Sequence, residues 1–253
     1  MVYLYFMGTA GSGKTTLTYA FQLWMNQAGY DSITVNLDPG AERIPYPADV
    51  DVRDWVSLPE VMDRYSLGPN GAQIICADML ALNAVKIKEA MDEFKADYFL
   101  IDTPGQVELF AYRDASKTVI ETFGERDSMI AFLIDPALAK TPTGFISLAL
   151  LSCSIQFRLE LPTVNVLSKV DLLDEDEKEK IIRWSQEGEE LQRALMESPT
   201  TMQTQMSYEL FKVLESSGAF RGLTPVSSES LFGMEDLYNA VQQIFFGGED
   251  LEK

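Results

Sequence analysis

GTAGSGKT, residues 8–15, decides how the rest of the 253-residue chain is read. It matches G-x-x-x-x-G-K-[ST] at every fixed position. The apolar run VYLYFM (residues 2–7) precedes it, and helical spacing follows over residues 15–27, closed by Gly29. Strand, glycine-rich loop and helix in that order let backbone N–H groups curl around a β-phosphate. Gly11, Ser12 and Gly13 supply those donors. Lys14 brings a cation between β- and γ-phosphates, and Thr15 a hydroxyl for Mg²⁺. Thr16 completes the nucleotide-binding set at a helix N-terminus whose dipole favours an anion.

Outward from this loop, residues 32–37 (SITVNL), 97–101 (DYFLI), 128–134 (SMIAFLI), 163–167 (TVNVL) and 224–226 read as further strands. Helices are expected over residues 58–65, 72–94, 143–157, 175–196, 203–216 and 234–246. Strands alternating with helices imply right-handed crossovers and a mostly parallel sheet. The expected fold is therefore α/β, a three-layer P-loop NTPase with helices on both faces. One domain spans residues 1–246, with insertions at about 39–93 and 174–222 and an acidic tail at 247–253.

Two aspartates are placed to serve the phosphate loop. Asp102 opens DTPG (residues 102–105) after an apolar strand, where it can hold Mg²⁺ while the Gly105 N–H meets a γ-phosphate oxygen. Gln106 follows, positioned to orient an attacking water. Asp38 ends the second strand in NLDPGAE and projects to the same edge, since ligands sit at the carboxyl ends of parallel strands. Its candidate roles are Mg²⁺ ligand through water and general base.

A base selector closes the fifth strand in NVLSKVD (residues 165–171). The Asp171 carboxylate can accept both N1–H and N2–H of guanine, whereas adenine leaves it unpaired. The Lys169 stem can lie over the purine face. Ser168 stands where asparagine or threonine is commoner in the N/T-K-x-D element. PVSS (residues 225–228), with Ser227, is a weak match to the loop that meets guanine O6.

Composition narrows the partners. Net charge is −19, which disfavours a direct nucleic-acid contact. No apolar run spans a membrane, and six apolar residues with no basic stretch before them do not make a signal peptide, so the expected location is cytoplasmic. With two cysteines and no histidine there is no disulfide framework or ordinary zinc site, and Cys76 and Cys153 read as core residues. Met196, Met202 and Met206, near Tyr208 and Phe211, read either as ordinary core or as an adaptable groove for a client or partner.

Between Asp38 and DTPG lies SLGPNGAQ (residues 66–73), with turn chemistry at Gly68-Pro69-Asn70-Gly71. GTAGSGKT, Asp38, the tripeptide Gly68-Pro69-Asn70, DTPGQVELF and NVLSKVDLL occur in the order that resembles the GPN-loop GTPases, over residues 1 to about 246. The resemblance implies a homodimer in which Asn70 reaches the partner's nucleotide. It also implies Mg²⁺ as cofactor, GTP and GDP as substrate and product, and a protein client or large nucleic-acid-processing complex as partner. An extra lysine that many MinD-like relatives carry near the loop's start is Thr9 here. A neutral Asn70 cannot offset charge as an arginine does, so turnover is expected to be slow. Arg43, Arg53 and Arg64 share the insertion, but no motif fixes any of them as a finger. Two other readings stand beside this one: an ATP-dependent small-molecule kinase or ligase, for which no second-substrate motif is seen, and a nucleotide-gated assembly scaffold.

Overall fold

The first strand, β1 (Val2–Gly8), is buried along its whole length and feeds two apolar layers. Tyr3, Tyr5 and Met7 enter one core, and Val2, Leu4 and Phe6 the other. A strand covered on both faces needs a continuous apolar run, which VYLYFM supplies. The computed structural model describes residues 1–218 and 222–247. Its further strands are β2 (Ser32–Asn36), β3 (Val50–Asp51), β4 (Tyr98–Asp102), β5 (Ser128–Ile134), β6 (Thr163–Leu167) and β7 (Thr224–Pro225). They form one sheet of order β3-β2-β4-β1-β5-β6-β7, with every pairing parallel.

Helices cover both faces. In chain order they are α1 (Lys14–Ala28), α2 (Leu58–Tyr65), α3 (Pro69–Asp92), α4 (Val107–Ala111), α5 (Asp114–Phe123) and α6 (Pro136–Ala139). Then come α7 (Pro142–Leu159), α8 (Glu175–Gln186), α9 (Gly188–Glu197), α10 (Met202–Ser217) and α11 (Met234–Phe246). Leu17 and Phe21 of α1 and Leu237 and Val241 of α11 close the layer beneath Leu4 and Phe6. Ile87 of α3, Ile120 of α5 and Ile146 of α7 close the other. This is the three-layer P-loop NTPase arrangement.

Several local expectations are corrected. Gly68-Pro69-Asn70-Gly71 is the start of a 24-residue helix and not a free turn, with Gly68 as N-cap and Pro69 in the first turn. Proline at N1 loses an N–H that has no helical partner anyway, so Gly-Pro serves a helix start as well as a turn. The helix expected over 175–196 is two, because Glu187 leaves helical geometry (φ −119°, ψ 92°). Gly188 then lies so close to α10 that a Cβ there would be 2.2 Å from the Glu215 carboxylate. The two-residue edge strand β3 lies where periodicity is weak. Cys76 is buried, but Cys153 is only half-buried. Met196, Met202 and Met206 stand in solvent while Phe211 is core. Beyond Gly247 the acidic tail lies outside the described residues.

Candidate nucleotide site

Register brings the site together before any side chain is considered. Phe6 of β1 and Asn36 of β2 both pair with Asp102 of β4, so the loops after these three strands leave the sheet at one level. The phosphate loop follows β1, Asp38 lies just beyond β2, and DTPG begins at the last residue of β4. The loop turns into α1 through Gly13, whose φ of +96° suits glycine. At Gly8 a Cβ would be 2.9 Å from the Leu133 carbonyl oxygen, so the neighbouring strand also demands glycine.

Lys14 is buried, and its Nζ donates to the carbonyl oxygens of Gly8 (2.9 Å), Thr9 (3.0 Å) and Gly105 (3.1 Å). Burial pushes its ammonium below the usual lysine range, while the carboxylates of Asp102, Asp38 and Glu108 pull it back. Asp102 is 1% exposed. Tyr46 donates its hydroxyl to Asp102 Oδ2 at 3.2 Å, and Asp102 Oδ1 is buried with no hydrogen-bond partner. Burial pushes this carboxyl up to about 6, against the hydroxyls of Thr15 and Tyr46, which favour its charged form.

An unpartnered buried carboxylate oxygen beside a threonine hydroxyl fits a hard, oxygen-seeking cation. Among the described residues no cluster of three or more acidic, cysteine or histidine side chains could hold a metal alone. Mg²⁺ suits such a sparse set, because water and substrate phosphates supply the rest of its octahedron.

Asp38 is placed differently from a direct metal ligand. Its Oδ1 accepts the Gly40 N–H at 2.9 Å and its Oδ2 the Gly105 N–H at 3.2 Å. The carboxylate thus occupies the donor that the sequence assigns to a γ-phosphate oxygen. A Cβ added to Gly105 would meet nothing within 4 Å, leaving open space on the loop's outer side. There a cavity of about 140 Å³ is bordered by Ala10, Asp38, Gly105, Gln106 and Gln73. Gln106 is exposed at the N-cap of α4. Asn70 is exposed in the first turn of α3. Thr16 is exposed on α1.

On the other side of the loop, Ser168 is buried and donates to the carbonyl oxygens of Ser12 (2.9 Å) and Ile134 (3.2 Å). It ties the base-selector strand to the phosphate loop. Lys169, in the left-handed region at φ +52°, bonds the Gly11 carbonyl and forms a 2.9 Å ion pair with Asp135. Its stem passes 3.4 Å from where a Gly13 Cβ would lie. Asp171 is exposed in the single 3₁₀ turn that follows. Ser227 is buried, and its hydroxyl accepts the Ser230 N–H, so it shapes its own loop.

Sequence reasoning missed Tyr46, Asp135 and Gln73. Tyr46 stacks on Tyr19 at 5.8 Å, and no local pattern marks it. Asp135 ends an apolar strand just as Asp38 and Asp102 do, a signal that was available. Of the three arginines in the insertion, Arg53 is engaged by Asp51 and the Ala41 carbonyl and braces the segment after Asp38.

Known proteins resemble this chain over most of its length. A family described as "Conserved hypothetical ATP binding protein" matches residues 6–246. GPN-loop GTPase PAB0955 of Pyrococcus abyssi is 34% identical over 234 residues, covering 92% of each chain. GPN-loop GTPase 1 of Dictyostelium discoideum is 29% identical over 238 residues, 93% of this chain but 59% of that one. The chain thus spans about three fifths of the Dictyostelium relative. The crystal structure of PAB0955, titled a GTPase in apo form, superposes with a TM-score of 0.86 at 31% identity, covering 97% of this chain and 98% of that one.

Proposed function

The chain belongs to the GPN-loop GTPase family, and on that premise we propose that it is a Mg²⁺-dependent homodimeric switch that binds GTP and hydrolyses it slowly. The observation that carries this reading is the meeting of Lys14, Asp102, Asp38 and Gly105 at one sheet edge, with Asp102 Oδ1 buried and unpartnered. Thr15 and Asp102 would hold the metal. When bound, Mg²⁺ supplies charge neutralisation at the β- and γ-phosphates. Lys14 adds a desolvated cation, worth more in a buried site than in water. The Gly105 N–H passes from Asp38 to a γ-phosphate oxygen, and Asp38 is then free to accept a proton from water. Asn70, exposed at the start of α3, meets the nucleotide of a second copy. As a neutral donor it stabilises charge less than an arginine would, hence the slow turnover. The protein client implied by the family resemblance belongs to the same proposal.

Guanine preference rests on Asp171, and Asp171→Asn provides the test. An amide at this position donates where the carboxylate accepted, so binding should shift from GTP toward xanthosine triphosphate by about two orders of magnitude. Competition of GTP, xanthosine triphosphate and ATP against a fluorescent nucleotide reads this directly. ATP competing as well as GTP with the wild-type chain would overturn the guanine reading and favour an ATP-dependent enzyme. Described helices offer no span long and apolar enough to cross a membrane.

Asn70→Ala tests the homodimeric arrangement. Single-turnover hydrolysis should fall about tenfold while GTP affinity stays the same, as for a hydrogen bond made only in the transition state. Mixing this variant with an excess of Lys14→Ala protein should restore turnover at the intact phosphate loop, because the partner then supplies Asn70. No restoration would count against a site completed in trans.

A further inference from the structure

We propose that Gln73 holds the attacking water in the site of its own chain, a task separate from that of Asn70 one turn earlier. The proposal rests on the GTP-hydrolysis reading above. Gln73, Ala77 and Leu80 recur at helical spacing along α3 and border the cavity of about 140 Å³ beside Asp38 and Gly105. Ala77 and Leu80 are apolar, so leucine at position 73 would extend that surface. Instead the chain places an amide there, and Gln73 Oε1 is buried with no hydrogen-bond partner. A buried acceptor left unpaired costs free energy, so its place on an otherwise apolar stripe points to a ligand that supplies the donor.

The cavity identifies that donor. At about 30 Å³ of liquid volume per molecule it has room for water. It adjoins Ala10 of the phosphate loop and the Gly105 loop, the two segments expected to flank a γ-phosphate. A water attacking phosphorus directs a lone pair at it and needs acceptors for its two O–H bonds. Both Asp38 oxygens already accept an N–H. Asp38 can take one water O–H once Gly105 turns to the nucleotide, and Gln73 Oε1 takes the other. The water oxygen bonds to the γ-phosphorus as the bond to the β–γ bridging oxygen breaks. GDP leaves with that electron pair, and the water's proton passes to Asp38 and then to the released phosphate. Gln73 is a positioning residue in this scheme, since it neither gains nor loses a proton.

The experiment compares wild-type, Gln73→Leu and Gln73→Glu full-length chains. It measures single-turnover GTP hydrolysis, affinity for a non-hydrolysable GTP analogue, and the thermal midpoint. Gln73→Leu should slow hydrolysis by about ten- to a hundredfold, the range for a misplaced reactant, with affinity within about twofold and an unlowered midpoint. Gln73→Glu keeps an acceptor oxygen and should stay within about threefold of the wild-type rate, which a merely structural glutamine would not require. The proposal is overturned by a wild-type rate in Gln73→Leu, by an affinity loss that matches the rate loss, or by Gln73→Glu falling as far as Gln73→Leu. No hydrolysis by the wild-type chain would instead overturn the GTPase reading beneath it.

Discussion

Lys14→Ala should lower GTP turnover by about a thousandfold, at the upper end for loss of one preorganised charge donor. Nζ bonds three carbonyl oxygens contributed by the phosphate loop and by Gly105 of the next loop, so one atom both marks the phosphate position and joins two loops. Burial weakens its hold on a proton, and three nearby carboxylates offset part of that loss. Nζ lies in a site where the field of a charge is poorly screened. Arginine is no substitute, because its planar fork cannot place three donors from a single nitrogen. Lys14→Arg should be nearly as inactive as Lys14→Ala. Single-turnover hydrolysis at saturating GTP is the measurement, and an alanine variant within tenfold of wild type would remove Lys14 from the reaction.

Asp102→Asn should move activity and stability in opposite directions. Loss of the charged oxygen should reduce turnover by about a hundredfold and raise the Mg²⁺ needed for half-maximal rate. Stability follows from the carboxyl's environment. Burial raises its pKa from 3.8 to about 6, so the folded chain favours the protonated form. Below about pH 4 the folded and unfolded chains are both protonated here, and nothing is lost. As pH rises from about 4 through 6, the unfolded chain ionises first and stability falls. Above that window the deficit is complete, on the order of 3 kcal/mol for a shift of about two units. The asparagine variant lacks that slope. Without nucleotide or Mg²⁺ it should unfold at higher denaturant than wild type at pH 7.5, with the gap closing near pH 4. Equal denaturant midpoints across this range would show that the buried charge carries no cost.

Much of the frame was legible because it depends on local pattern. The bounds of β5 and β6 follow from apolar runs between polar ends, and those of α2 from its N-terminal Leu-Pro and its amphipathic spacing. The phosphate loop is legible because its glycines answer to local backbone constraints. What stayed hidden depends on contacts distant in sequence. Strand β3 has two residues, and Asp49 just before it and Asp51 within it are fixed by Thr34 and Asn36 of β2. Tyr46 takes its place from Asp102, 56 positions away, and from Tyr19. The start of α3 was obscured for another reason, since Gly-Pro satisfies the demands of a turn and of a helix N-terminus alike. Asn70 is legible from the sequence, but its seat on a 24-residue helix is not.

The two N–H bonds accepted by Asp38 have a mechanical consequence. One carboxylate links the loop after β2 to the loop after β4, and Asn36 extends the linkage through Asp51 to Arg53 and the Ala41 carbonyl. A ligand that draws the Gly105 N–H away from Asp38 unfastens one end of this chain of bonds. The bonds that remain run along the rim to β3, the outermost strand of the sheet. Asp38 is in effect a peg that pins the loop after β4 to a cord of polar side chains laid across the sheet's edge.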